Sequence, residues 1–148
     1  MREDLNYPQI DKQKLDIVKE LIDRIAEPSN GDCSYALNEL NRITGKSYTA
    51  LEFVEYWGWT DLDILAERVL TPEPPYINDL TRDEMKEIVS IVKKCLMLGE
   101  DNKADYYMEL LHKSLPLVNV FAYMKLDDDE TTIVDNMINA SANSIITL

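Results

Sequence analysis

His112 is the single histidine of the chain, and the chemistry open to it is general acid–base transfer or metal ligation. Ligation would need cysteine or carboxylate partners from elsewhere. The residue falls in the last turn of a helix predicted up to Leu115, where the helix dipole favours a partly cationic imidazole. That structural role is the simpler one. Cys33 and Cys95 are the only thiols; they lack CxxC spacing and an adjacent base, and each sits in a helical stretch. They read as two reduced, buried thiols rather than a nucleophile or a disulfide. All four glycines, Gly31, Gly45, Gly58 and Gly99, sit at predicted turns or helix ends, so there is no P-loop and no dinucleotide fingerprint.

The run Asp127-Asp128-Asp129-Glu130 raises calcium binding. An EF-hand loop counted from Asp127 needs glycine at its sixth position and glutamate at its twelfth, and the chain has Thr132 and Ile138 there. The pattern fails. Acids just before a helix cap its free N–H groups and suit its positive end, and they also offer an acidic surface to a basic partner. Asp101 and Asp105, one helical turn apart, could serve hydrolysis only in a site that raises a carboxyl pKa, and no such site is visible in the sequence. The reading is of a protein with no catalytic residues, no cofactor and no metal.

The stretch EYWGWTDLD, residues 55–63, gathers Tyr56, Trp57 and Trp59 around Gly58. An α-helix opened by a Thr49/Glu52 capping box would put Ala50, Phe53, Val54 and Trp57 on one inward stripe. Gly58 would then be the left-handed residue past the helix end, with Trp59 packed back on the last turn. On this reading both tryptophans belong to the core or the corner, and Tyr56, off the stripe, is the surface candidate. Tyr76 is a second candidate, because the stiff PEPP segment before it would present it at little entropic cost; its other role is a plug over helix ends.

These residues need elements to hold them, and the periodicity is helical almost throughout. Leu15, Val18, Leu21, Ile22 and Ile25 recur at spacings of three and four after an Asp11 cap, with Pro28 as the stop. Ala36, Leu37, Leu40 and Ile43 form a second stripe ended by Gly45. Thr60 with Asp63 nearly repeats the capping device before Leu62, Leu65, Ala66 and Val69. TPEPPY then breaks the pattern. Thr81 with Glu84 opens a helix carrying Met85, Ile88, Val89, Val92 and Leu96, placed centrally and ended at Gly99. Asn102 or Asp101 can cap the next, with Ala104, Tyr107, Met108, Leu111 and Leu115 inward. Residues 116–126, with Leu117, Val118, Val120, Phe121 and Tyr123 apolar, suit a short buried helix or a strand. Ile133, Val134, Met137, Ile138 and Ile145 mark the last helix.

The expectation is an all-α fold of seven or eight short to medium helices in one domain, 1–148, as an irregular bundle or solenoid-like array. It has an N-terminal arm at 1–10, a Pro-rich connector at 71–80 and an acidic turn at 127–130. At 148 residues a single core is feasible without a metal or disulfides. The net charge of −13 opposes binding to nucleic acid or anionic membranes. Residues 100–148 hold 9 acids against 3 bases, a denser surplus than the 19 against 12 of residues 1–99. No stretch suits a membrane span, and MREDLNYPQIDKQ lacks a signal-peptide apolar region, so a cytoplasmic place is expected.

PPYINDLTRDEMKEIVSIV, residues 74–92, resembles the helical middle of bacterial immunity proteins from secreted or contact-delivered (polymorphic) toxin systems. YYMELLHKSLPLVNVFAYM, residues 106–124, is similar to their C-terminal portion. The resemblance implies a small acidic protein that binds one cognate toxin domain and has no catalytic residues. The expected function is therefore a non-enzymatic immunity or inhibitor protein that occludes a basic toxin domain, such as a nuclease. Its binding residues would be Glu100, Asp101, Asp105, Asp127, Asp128, Asp129 and Glu130, with Tyr56 and Tyr76 as anchors. The alternative is a helical adaptor that holds a peptide or partner helix in an apolar groove.

Overall fold

The computed structural model of the chain describes residues 2–27, 33–54 and 56–146, with side chains up to residue 142. These residues are all-α, with no strand among them. The α-helices are α1 (Lys12–Ala26), α2 (Cys33–Thr44), α3 (Leu62–Leu70), α4 (Arg82–Leu98), α5 (Asp101–Ser114), α6 (Val120–Tyr123) and α7 (Glu130–Ile146). Short 3-10 turns occupy Glu3–Leu5, Ala50–Glu52 and Tyr56–Gly58. The proposed stop at Pro28, the turn through Asn30-Gly31 and the side chain of Ile145 lie outside the described residues. No helix among the described residues is long and apolar enough to cross a membrane.

The chain clusters into two compact units, Pro8–Pro72 and, formed by Met1–Tyr7 with Glu73–Leu148, a second. Where the sequence suggested one packed core, the buried side chains form two clusters. In the first unit, α1 packs on α2 and α3 through Val18, Leu21, Ile22 and Ile25, the stripe its periodicity predicted. Asp11 caps α1 by accepting from the Gln13 N–H at 2.8 Å. Gly45 ends α2 with φ +70, a conformation that costs glycine little. Asn41 then ties the following loop, its side chain accepting from the Tyr48 N–H (2.8 Å) and donating to the Tyr48 carbonyl (3.1 Å). Lys46 reaches the open carbonyls at the end of α3, donating to Val69 O (2.9 Å) and Thr71 O (2.7 Å). The α3 cap is Asp61, which accepts from the Ile64 N–H at 2.8 Å, rather than Thr60.

In the second unit α4 packs against both α5 and α7, while α6 touches both of those helices. Thr81 and Glu84 form the predicted capping box. Gly99, at φ +76, ends α4, and α5 begins two residues later with Glu100 at its cap position; neither Asn102 nor Asp101 fills that place. Ion pairs of Lys93 with Glu130 and of Arg82 with Asp135 set α7 antiparallel to α4. Residues 116–126, open between helix and strand, make a single helical turn at Val120–Tyr123. Val118, Val120 and Met124 are buried there, but Leu117 and Phe121, expected inside, are exposed. One short turn has too few inward positions for all of them.

The residues read as an N-terminal arm are partly built in. Leu5 is fully buried, its carbonyl accepts from the Tyr107 hydroxyl at 2.8 Å, and Arg2 donates to Glu84 and Asp79. The connector is likewise pinned: Lys113 donates to the Pro74 carbonyl (2.6 Å) and Ser114 to the Ile77 carbonyl (3.0 Å).

Candidate interaction surfaces

Two sets of side chains could meet a partner, and each lies within one unit. The first is acidic. Glu100 and Asp101 open α5 and Asp105 follows one turn later; all three are exposed. Asp127 to Glu130 precede and begin α7, where Asp129 accepts from the Thr132 N–H at 2.7 Å. That bond, made to the charged form, holds the Asp129 carboxyl below its ordinary pKa. Lys93 donates to the Asp128 carbonyl at 2.6 Å and lies 3.5 Å from the Glu130 carboxylate. Lys93 is five residues, about 8 Å of helix, before the end of α4, so the starts of α5 and α7 lie toward the same end of that helix. The acids are therefore gathered, but the turn is partly capped and partly neutralised from within. This unit holds 16 acids against 8 bases.

The second set is the aromatic segment, and here the structure reverses the sequence reading. Tyr56, expected outside, is only 8% exposed, while Trp57 and Trp59, expected inside, are each 60% exposed. The cause is the helix period. The described residues between 49 and 59 make i to i+3 hydrogen bonds: Phe53 N–H to Ala50 O at 3.0 Å, Tyr56 N–H to Phe53 O at 3.3 Å, and Trp59 N–H to Tyr56 O at 3.0 Å. At three residues per turn, positions three apart eclipse. Phe53 and Tyr56 then share the inner side, with Phe53 1% exposed. Leu51, Val54 and Trp57 share the outer side, at 84%, 42% and 60% exposure. An α-helical period instead stacks Trp57 with Phe53 and Ala50, which is where the expectation went wrong.

Inner anchors hold this arrangement. The Tyr56 hydroxyl donates to the Asp23 carboxylate of α1 at 2.6 Å, and burial together with that bond pushes the phenol up to about 12. Tyr48 meets Phe53 edge-on, with ring centroids 5.4 Å apart. Glu52 accepts from the Thr49 N–H at 2.6 Å, so the predicted capping box exists but opens a 3-10 turn instead of an α-helix. Gly58 is not left-handed; positive φ occurs at Gly45 and Gly99. Glu52, Asp61 and Asp63 lie close to Leu51, Val54 and Trp57 in the sequence, with Asp63 paired to Lys19. Testing a period of three across Ala50, Phe53 and Tyr56 would have turned Trp57 outward from the sequence, but the same period puts Trp59 with Tyr56, and its exposure comes from its place past the last 3-10 turn.

Tyr76 is 69% exposed, presented by the proline segment and not plugging helix ends. His112, in the last turn of α5, has its Nδ1 3.1 Å from the Val118 carbonyl. It lines an open groove of about 450 Å³ with Met108, Leu117, Val118, Val120 and Phe121. Cys33 and Cys95 are free thiols; Cys95 donates to the Glu100 carboxylate at 3.6 Å, and burial pushes its pKa up, away from nucleophilic use. Among the described residues no group of three His, Cys, Asp or Glu side chains could hold a metal ion. Comparison of the chain with family models, curated proteins and solved structures gave no match.

Proposed function

We propose that this chain is a non-enzymatic, cytoplasmic protein-binding protein, and more specifically an immunity or inhibitor protein that occludes a basic toxin domain. The observation that carries this is the acid surplus of the α4–α7 unit, with Glu100, Asp101, Asp105 and Asp127 exposed toward one end of α4. Such a surface steers a basic domain toward it and repels nucleic acid from the same place, so binding and site occlusion go together. The resemblance of residues 74–92 and 106–124 to immunity proteins supports the same reading. Tyr76, held outward by prolines, would be a separate anchor toward the other end of α5, where Lys113 and Ser114 hold Pro74 and Ile77.

The test is binding kinetics with any small basic domain that is found encoded beside this chain's gene. Association should slow roughly tenfold or more as salt rises from low to high, and reversal of Asp127, Asp128, Asp129 and Glu130 to lysine should slow it at low salt. Association that ignores both would remove the proposal. A second reading is favoured by the groove on α5 and α6: an adaptor holding a peptide against Met108, Val118 and Phe121. It predicts apolar determinants and little dependence on salt.

A further inference from the structure

We infer that the outer side of the 49–59 segment is a docking site for a protein segment that carries apolar side chains flanked by Lys or Arg. This rests on the reading of the chain as a protein binder but places the apolar contact in the Pro8–Pro72 unit. Leu51, Val54 and Trp57 point outward at every third residue, and Trp59 follows them, exposed to the same extent. Phe53 and Tyr56 supply the buried packing, and of the outer set Trp57 adds an edge-on contact of its ring with Tyr56, centroids 5.4 Å apart. Leaving two tryptophans and a leucine in water is unfavourable for solubility, and tryptophan is the side chain most enriched at binding hot spots.

Charge chooses the occupant. Residues 47–67, which carry the series, contain five acids and no Lys or Arg. A second copy of the chain, itself at −13, would bring like charge to that stretch, and an anionic membrane would do the same. A cationic segment gains twice, by covering the apolar series and by placing its ammonium or guanidinium groups over tryptophan faces and carboxylates.

The chain's only tryptophans, Trp57 and Trp59, make the site its own reporter. The probe is a synthetic Leu/Lys amphipathic helical peptide of about five turns. A Lys/Gln peptide of equal charge and a Leu/Glu peptide of equal hydrophobicity are the comparisons. Titration of the full chain at about 0.15 M salt should shift tryptophan emission to the blue with the Leu/Lys peptide alone. Leu51→Ser, which keeps both fluorophores, and Trp57→Ala, read through Trp59, should each weaken binding roughly thirtyfold. No shift, an equal shift with either comparison peptide, or a shift that grows with protein concentration alone would overturn the site. If Leu/Lys binding survives both variants but falls on charge reversal at Asp127 to Glu130, the docking site is wrong and the acidic-turn proposal stands. If the variants abolish it and the reversal does not, the docking site stands on its own.

Discussion

Two segments of this chain open on the same signal and fold differently. Thr81 and Glu84 begin α4, a 17-residue α-helix, whereas Thr49 and Glu52, with the same spacing, begin a run of 3-10 turns. A capping box satisfies the free N–H groups at a helix start in either case, so it cannot choose the type of helix it opens. Behind the box of α4 runs a long apolar series at spacings of three and four, buried between two neighbouring helices. Behind Thr49 there are only about ten residues, rich in aromatic and β-branched side chains that lose rotamer freedom in an α-helix. Two of them, Phe53 and Tyr56, find burial at a spacing of three. Packing settles the period, and the period decides which aromatic faces water.

The sharpest way to break this contrast is by paired truncations followed in urea. Phe53→Ala should cost about 3–5 kcal/mol, as Val92→Ala in α4 should cost about 2 kcal/mol or more, while Trp57→Ala should cost only about 0.5–1.5 kcal/mol, for its edge-on contact with Tyr56. An α-helical period through 49–57 would instead make Trp57 the expensive position.

Tyr56→Phe comes next, at about 1–2 kcal/mol for loss of the hydrogen bond to Asp23. It also has a pH signature. The phenol's pKa is raised from 10 to about 12 in the folded protein, so its contribution is complete below pH 10 and disappears as pH rises toward 12. Tyr107, also pushed up to about 12, mainly by burial, leaves a fall of its own. The difference between wild type and the phenylalanine variant across pH 10–12 isolates Tyr56.

The capping boxes themselves differ less. Thr81→Ala should cost about 1 kcal/mol and Thr49→Ala less, since α4 has a full helix end to satisfy and the 3-10 turn does not. Acid sharpens this: the Arg2 guanidinium and the Thr81 N–H hold the Glu84 carboxyl down at about 2. Its contribution is present above the ordinary 4.5 and fades as pH falls toward 2, a fade that Glu84→Gln should remove from an acid titration of stability. The smallest effect is at Gly58, where an added Cβ meets open space and φ is not positive, so Gly58→Ala should be neutral or stabilising by up to about 1 kcal/mol. Gly99→Ala, at φ +76, should destabilise by about 1 kcal/mol.

The same contrast explains how much of the fold was legible in the sequence. Stripes such as Val18-Leu21-Ile22-Ile25 and Met85-Ile88-Val89-Val92 were readable because each repeats over several turns, and repetition leaves one period. The 49–59 segment offers two inward contacts, which fit a period of about 3.0 or about 3.6 almost equally well over so short a span. The acidic positions were readable as charges but not as partners: Lys93, 35 residues before Asp128, is brought to the turn only by the packing of α7 on α4. Division of the buried side chains into two clusters was equally invisible, because composition reports how much can be buried and not where.

The central claim is that a three-residue period turns Trp57 outward, with Trp59 exposed just past its end, in an acid-rich stretch of the chain. Quenching of tryptophan emission in the full chain tests it most directly, comparing caesium with iodide at matched ionic strength. Emission should lie close to that of tryptophan in water, and, each relative to its quenching of free tryptophan, the cation should quench more strongly than the anion, since nearby acids concentrate one and repel the other. Blue-shifted emission that resists both ions would put the tryptophans back in the core and contradict the account.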